Sequence, residues 1–218
     1  MRYILLLITV LCLTILDAKT DYSKHKYGYF SNWHLSKIYK KVAEKSSVNK
    51  QALRDAFNYY KKEKKRKQLS KTYLAIADYT KISNVKRLYI IRLLDGKVYR
   101  YSVAHGIRSG AKGGRVWRSS NKQNSNMTPY GFFKVGSFEG ITTKKRYRYL
   151  SIKGLQWNNK KVGLPLKKGG RDIVLHTAKY VNYQGRSFGC FAIKPTDKSA
   201  VFKRLKTALL YSYTGKKK

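Results

Sequence analysis

Residues 171–190 read Arg-Asp-Ile-Val-Leu-His-Thr-Ala-Lys-Tyr-Val-Asn-Tyr-Gln-Gly-Arg-Ser-Phe-Gly-Cys, and this stretch constrains the fold more than any other. Its start, 171–177, is a short apolar, β-branched run that predicts a buried strand delivering His176 at its end. The chain then breaks at Gln184-Gly185 and reaches Cys190 through Ser187 and Gly189. A glycine just before a cysteine permits a tight turn and leaves backbone N–H groups unobstructed, as a site that stabilises an oxyanion requires. A histidine and a cysteine joined across such a strand-loop-strand unit can form a thiolate–imidazolium pair. Taken alone, the two residues fit a second reading better: a small buried hydrophobe and a hydrogen-bonded core histidine.

The other cysteine decides how this thiol is read. Cys12 lies in an apolar run from Tyr3 to Leu16 that follows Met1-Arg2 and precedes Asp17-Ala18. A basic start, a short apolar stretch and a small residue at the end describe a secretory signal peptide over 1–18, too short for a comfortable membrane span. Cys12 lacks the small residues that precede a lipid-modified cysteine. After cleavage Cys190 is the only cysteine, so no intramolecular disulfide can form, and an unpaired exported thiol is expected to be buried or used. The net charge of +39 implies an anionic working environment, and export points to anionic envelope polymers over nucleic acid. No zinc-ligand spacing, phosphate loop or RNA-binding aromatic motif supports nucleic acid. The expected location is the periplasm or cell envelope.

Residues 19–32 read as an irregular Tyr-rich lead-in. Val48, Ala52, Leu53, Ala56, Phe57 and Tyr60 then recur at helical spacing behind Ser46-Ser47, predicting one amphipathic helix over 47–66 and a helical extension over 19–70. From about residue 71 the period changes. Strands are expected at 72–79, at 86–94 and at 97–103, the last two around the hairpin signal Asp95-Gly96. The segment 106–127 is rich in Gly, Ser, Asn and cations, which predicts a long surface loop that borders a substrate groove. Thr128-Pro129 opens another strand, and Ala200, Val201, Leu205, Ala208 and Leu209 predict a helix behind Pro195-Thr196-Asp197.

Thr128-Pro129-Tyr130-Gly131-Phe132-Phe133, followed downstream by His176 and by Ser187-Phe188-Gly189-Cys190, resembles the L,D-transpeptidase (YkuD-type) catalytic domain. It is most similar to the murein L,D-transpeptidase catalytic-domain-like branch, which it matches also at Ala77-Asp78, Lys86-Arg87-Leu88-Tyr89, Val103-Ala104-His105-Gly106, Ser109-Gly110 and Gly185-Arg186-Ser187. The resemblance spans roughly residues 72–195. It implies a mainly β, sandwich-like catalytic domain over 71–218 with an N-terminal helical extension and a C-terminal helix. It also implies cysteine chemistry on peptidoglycan stem peptides, without metal or cofactor. By the family pattern Cys190 is the nucleophile, His176 its base, and the Thr177 carbonyl orients the imidazole. The Gly189 and Cys190 amides line the oxyanion hole, and Ser187 holds the loop.

Tyr130 belongs to the matched turn and His105 stands where relatives carry a small hydroxyl residue; both are candidate substrate contacts, although a structural role suits His105 as well. Thr177 replaces a common glycine, Phe191 a usual proline, and Ala192 a substrate-binding arginine. Carboxylate recognition must then come from elsewhere, and Arg186 is the nearest candidate. The reading is an exported L,D-transpeptidase forming an acyl-enzyme on Cys190. Its alternatives are an L,D-carboxypeptidase or endopeptidase with water as acceptor, and a non-catalytic basic wall-binding protein. A sortase lacks its arginine here, and a papain-like enzyme has the cysteine first.

Overall fold

The structure is a computed structural model that describes residues 28–142, 147–182 and 186–215. The expected signal peptide, the lead-in up to residue 27, the break at Gln184-Gly185 and the terminal lysines lie outside the described residues. Among the described residues two helices come first, α1 (Asn32–Lys45) and α2 (Lys50–Glu63). Helix α1 was not anticipated, yet its signals are ordinary: Ser31 Oγ accepts from the His34 amide at 3.1 Å, and Leu35, Ile38 and Val42 form its buried stripe. Helix α2 starts later than expected, because Asn49 rather than Ser46 or Ser47 is the cap. Asn49 Oδ1 accepts from the amides of Gln51 and Ala52 at 2.9 and 3.1 Å.

Ten strands follow among the described residues: β1 (Tyr73–Asp78), β2 (Leu88–Arg92), β3 (Val98–Tyr101), β4 (His105–Gly106), β5 (Gly131–Ile141), β6 (Arg148–Gly154), β7 (Val174–Thr177), β8 (Arg186–Ser187), β9 (Phe191–Ile193) and, after helix α3 (Lys198–Leu205), β10 (Leu209–Tyr213). Eight of them form one sheet in the order β3-β2-β1-β10-β5-β6-β7-β9, while β4 and β8 make a small parallel ladder. The hairpin β2–β3 forms around Asp95-Gly96, but over a longer loop than the dipeptide suggests. It closes with the Arg92 amide on the Lys97 carbonyl at 2.9 Å, Arg92 paired to Asp95, and Gly96 at φ 75°.

Period two sorts the central strands between two apolar clusters. Leu74 and Ile76 of β1 face α1 and α2 with Leu53, Phe57 and Tyr60. Ala75 and Ala77 face the other way, into a cluster with Phe133, Leu150, Leu175, Phe191 and the α3 residues Val201, Phe202 and Leu205. Each such Leu, Ile or Phe contributes about 1.5–3 kcal/mol on burial. The sheet curls over that second cluster. Phe191 of β9 packs edge-on to Phe133 of β5 at 5.7 Å and lies 6.5 Å from Tyr79, just past β1. The Ala104 amide donates to the Ala192 carbonyl at 2.9 Å. The two layers expected of a sandwich are thus two halves of one continuous sheet.

The predicted helix after Asp197 is shorter than read. Helix α3 ends at Leu205, Thr207 turns at φ 60°, and Leu209 enters β10 between β1 and β5. Leu209 faces the helices and Leu210 the inner cluster, so burial on both faces overrides the helical spacing. Asp197 stands at the cap position without a side-chain capping bond. Among the described residues no helix is long and apolar enough to cross a membrane.

Candidate active site

His176 lies on β7, between Tyr149 of β6 and Ala192 of β9 in register. Its ring is buried and stacks on Tyr147, centroids 5.4 Å apart. Nδ1 lies 2.9 Å from the Thr177 carbonyl oxygen. A carbonyl only accepts, so Nδ1 carries the proton of the neutral ring and Nε2 keeps the free lone pair. Burial holds the imidazole below its ordinary pKa, partly offset by that carbonyl.

Cys190 closes the turn before β9. Ser187 Oγ accepts from the Gly189 amide at 3.0 Å and donates to the Cys190 carbonyl at 2.8 Å, pinning the turn from inside. This corrects one expectation: the Gly189 N–H is committed to Ser187 and is not a free oxyanion donor. Gly189 itself is required by space and by its φ of 118°. A Cβ there would sit 2.2 Å from Arg171 Nη2 and 2.6 Å from the Met127 carbonyl. Gly189→Ala is therefore expected to displace Cys190, lowering stability by about 1–3 kcal/mol and turnover by about 100-fold, as urea denaturation and kinetics will show.

Arg171 is a residue of this site that no sequence motif marks. It is buried at the start of the β7 segment and donates from Nη1 to the Ser120 carbonyl and from Nη2 to the Met127 carbonyl. It thereby ties the 106–127 loop to the underside of the Cys190 turn. Burial lowers the Arg171 pKa to about 10, with the neighbouring Cys190 acting the other way.

The resting thiol is not the acidic one that the motif suggests. Burial pushes its pKa up and nearby Asp172 adds to this, outweighing the Val174 N–H and Arg171, which favour the thiolate. With the imidazole lowered and the thiol raised, both groups rest neutral near pH 7. Iodoacetamide alkylation is expected to be slow at pH 7 and to climb above pH about 8.5, the ordinary thiol value. A rate already at its plateau at pH 7 would reverse this assignment.

Cys190, His176, Ser187 and Arg186 line one groove of about 500 Å³ with Ile107, Tyr147, Val174, Tyr180 and Phe188. The groove is mostly apolar, and Arg186, half-buried on β8, is its one cation among the lining residues. Two candidate substrate contacts lie elsewhere. His105 is buried, with Nδ1 accepting from Arg87 Nη2 at 2.8 Å. Arg87, itself fully buried, also donates to the carbonyls of Val103 and Lys81. His105 is thus a structural residue whose backbone, paired to Arg186, supports the site. Tyr130 opens into a neighbouring groove instead.

The 106–127 loop reaches the Cys190–His176 groove through Ile107, while its cations Arg108, Lys112, Arg115 and Arg118 do not line it. Its motif residues hold it together: Thr128 Oγ1 accepts from the Gly106 amide at 2.9 Å, and Ser109 Oγ from the Thr128 amide at 2.7 Å.

The family profile described as the L,D-transpeptidase catalytic domain matches residues 44–213. The chain belongs to this family. No curated protein sequence matches it. Solved structures similar to this L,D-transpeptidase-family chain include the helical cell shape determining protein Pgp2 from Campylobacter jejuni, at 17% identity over 67% of this chain and 49% of that one, TM-score 0.44. Bd1075 of Bdellovibrio bacteriovorus is 15% identical over 66% and 48%, TM-score 0.42. An L,D-transpeptidase from Mycobacterium smegmatis is 16% identical over 65% and 58%, TM-score 0.36. The chain spans about half the length of the first of these (49% and 48%), and membership rests on the profile.

Within the family frame, the departures acquire physical reasons. Ala192 is fully buried with Ala104, Ala178 and Val181, and its backbone is paired on both sides. An arginine there could not reach solvent without opening β9. The Phe191 side chain fills the inner cluster against Phe133 and Tyr79. At Thr177 the part that touches the histidine is the backbone carbonyl, which any residue supplies.

Proposed function

We propose that this chain is an exported, cysteine-dependent L,D-transpeptidase acting on peptidoglycan stem peptides. The observation that carries the reading is the opening of Cys190 and His176 into one groove, with the free lone pair assigned to Nε2, in a chain of this family. The Cys190 sulfur attacks the carbonyl after the L-centre of a donor stem while its proton passes to His176 Nε2. A C–S bond forms, the C–N bond breaks, and the leaving D-amino acid takes the proton from His176. An amine of a neighbouring stem then gives its proton to Nε2 and attacks the thioester, returning the thiol. The Cys190 amide is the oxyanion donor that remains on the turn, since Gly189 is bound to Ser187. The neutral resting pair supports proton transfer during attack rather than a preformed ion pair.

The apolar run at 3–16 and the unpaired Cys190 support export, and the +39 charge supports retention on an anionic envelope. Incubation with purified sacculi, followed by mass spectrometry of the muropeptides, tests the reading. New cross-linked dimers are expected, absent with Cys190→Ala. Trimmed stems without dimers mean that water is the acceptor, and no change in either sinks the enzymatic reading.

A further inference from the structure

The catalytic groove leaves a need unmet. Its lining offers Arg186 alone as a cation, whereas stem peptides carry several free carboxylates, and Ala192 rules out help from the β9 position. On the far side of Arg171 lies a larger groove of about 680 Å³ with a different chemistry. Lys122, Lys160 and Lys161 line it beside Tyr130 and Trp157, and no aspartate or glutamate does. Trp157 is 83% exposed, with Lys160 Nζ 3.1 Å from its ring centroid. Other rings of this chain are also open, Phe138 and Phe188 among them, but Trp157 is the exposed one that lines a groove together with three lysines, and such a pairing of open indole and cations suits a contact surface.

The floor is built rather than loose. Asn121 Nδ2 donates to the carbonyls of Tyr130 and Asn158, both at 3.2 Å, and Asn121 Oδ1 accepts from the Tyr130 amide at 3.0 Å. Asn159 Nδ2 reaches the Phe132 carbonyl at 3.0 Å, fixing the turn that carries Trp157. The Asn121 and Asn159 amides are therefore occupied in holding shape, and the three lysines supply the positive charge that a ligand would meet. Ammonium groups without acidic neighbours, next to an exposed ring, suit carboxylates on a peptide.

We propose that this second groove binds a carboxylate-bearing stem peptide, so that the enzyme holds peptidoglycan on both sides of Arg171. The identity of the polymer rests on the proposed function; the charge and shape of the site do not. Because Arg171 lines the groove and abuts Gly189, a ligand here lies one side chain away from the nucleophile's turn.

The test uses full-length Cys190→Ala protein in which Trp33 and Trp117 are replaced by phenylalanine, leaving Trp157 as the only indole of the three. It is titrated with a soluble tetrapeptide stem carrying free carboxylates, with the fully amidated stem, and with a glycerol-phosphate oligomer. The free-acid stem is expected to change Trp157 emission saturably and the amidated stem to bind at least tenfold more weakly. Lys122→Gln/Lys160→Gln/Lys161→Gln should abolish the difference while the melting temperature holds. In the Cys190-containing enzyme the same triple change should raise KM about tenfold with kcat within twofold. Equal binding of acid and amide, preference for the phosphate oligomer, or an unaffected triple variant would each overturn the proposal. Saturable acid-specific binding in a protein that shows no cross-linking would leave this site standing and remove the proposed function instead.

Discussion

Cys190→Ala is expected to lower release of the terminal D-amino acid from a soluble stem peptide by at least about 1,000-fold while leaving the fold in place. The asymmetry follows from where the sulfur sits. Cys190 is half-buried at the margin of the inner cluster, not in its centre, so removing one sulfur costs little packing. No other thiol is present among the described residues to replace it. His176→Ala should lose about 100- to 10,000-fold, the usual worth of a positioned general base. The double variant should be no worse than the poorer single one, since the two groups act in one step. Turnover measured with circular dichroism on each variant decides the matter. Retained turnover in Cys190→Ala removes covalent catalysis, and a double variant showing the product of the two single losses separates their roles.

The second large effect is on stability against acid. Arg87 Nη2 donates to His105 Nδ1, so the ring must stay neutral: a proton on Nδ1 would remove the acceptor and set two cations in contact inside the fold. Burial, then the Arg87 charge, hold the His105 pKa down to about 4 from an ordinary 6.5, despite a partly offsetting pull from the backbone of Gly110 and Ala111. The folded pKa lies below the unfolded one, so between pH 6.5 and 4 the unfolded chain binds more protons. Stability is then full above pH about 6.5, falls as pH drops, and has lost about 3 kcal/mol once pH passes about 4. His176, also lowered by burial, acts in the same direction. Urea midpoints measured from pH 7 to pH 4 should show this slope, and His105→Gln should flatten most of it. An unchanged slope in that variant would place the acid sensitivity elsewhere.

Legibility from sequence followed how local each signal was. The β2–β3 hairpin and the His176 strand lie within short, patterned windows and form inside them, the hairpin over a longer loop and the strand only from Val174 onward. Helix α1 carries an equally local stripe, Leu35, Ile38 and Val42, but interleaved lysines and aromatics masked it. Strand β6 went unread although Leu150 and Ile152 alternate with exposed neighbours. Strand β10 was misassigned for a deeper reason: its partners are β1 and β5, far away in sequence, and only that pairing turns Leu209 and Leu210 from a helical stripe into two opposite faces.

At the site, motif residues that pin the backbone were readable as a set, whereas Arg171 and Tyr147 were not. Their importance lies in contacts with Gly189, Met127 and His176, which no spacing encodes. The free Gly189 amide was the plausible error of the motif, since Ser187 could be recognised as a loop residue without showing which N–H it occupies.

The position of β10 also bears on how the protein comes into being. It joins β1 to β5, so until residues 209–213 have left the ribosome the sheet is two fragments with two open edges, one of them the fragment carrying His176 and Cys190. Long-range pairing of this kind is slow and leaves strand edges exposed meanwhile. Should the chain be exported unfolded, as proposed, such an order would suit it: the strands that carry His176 and Cys190 stay detached from β1 until β10 arrives.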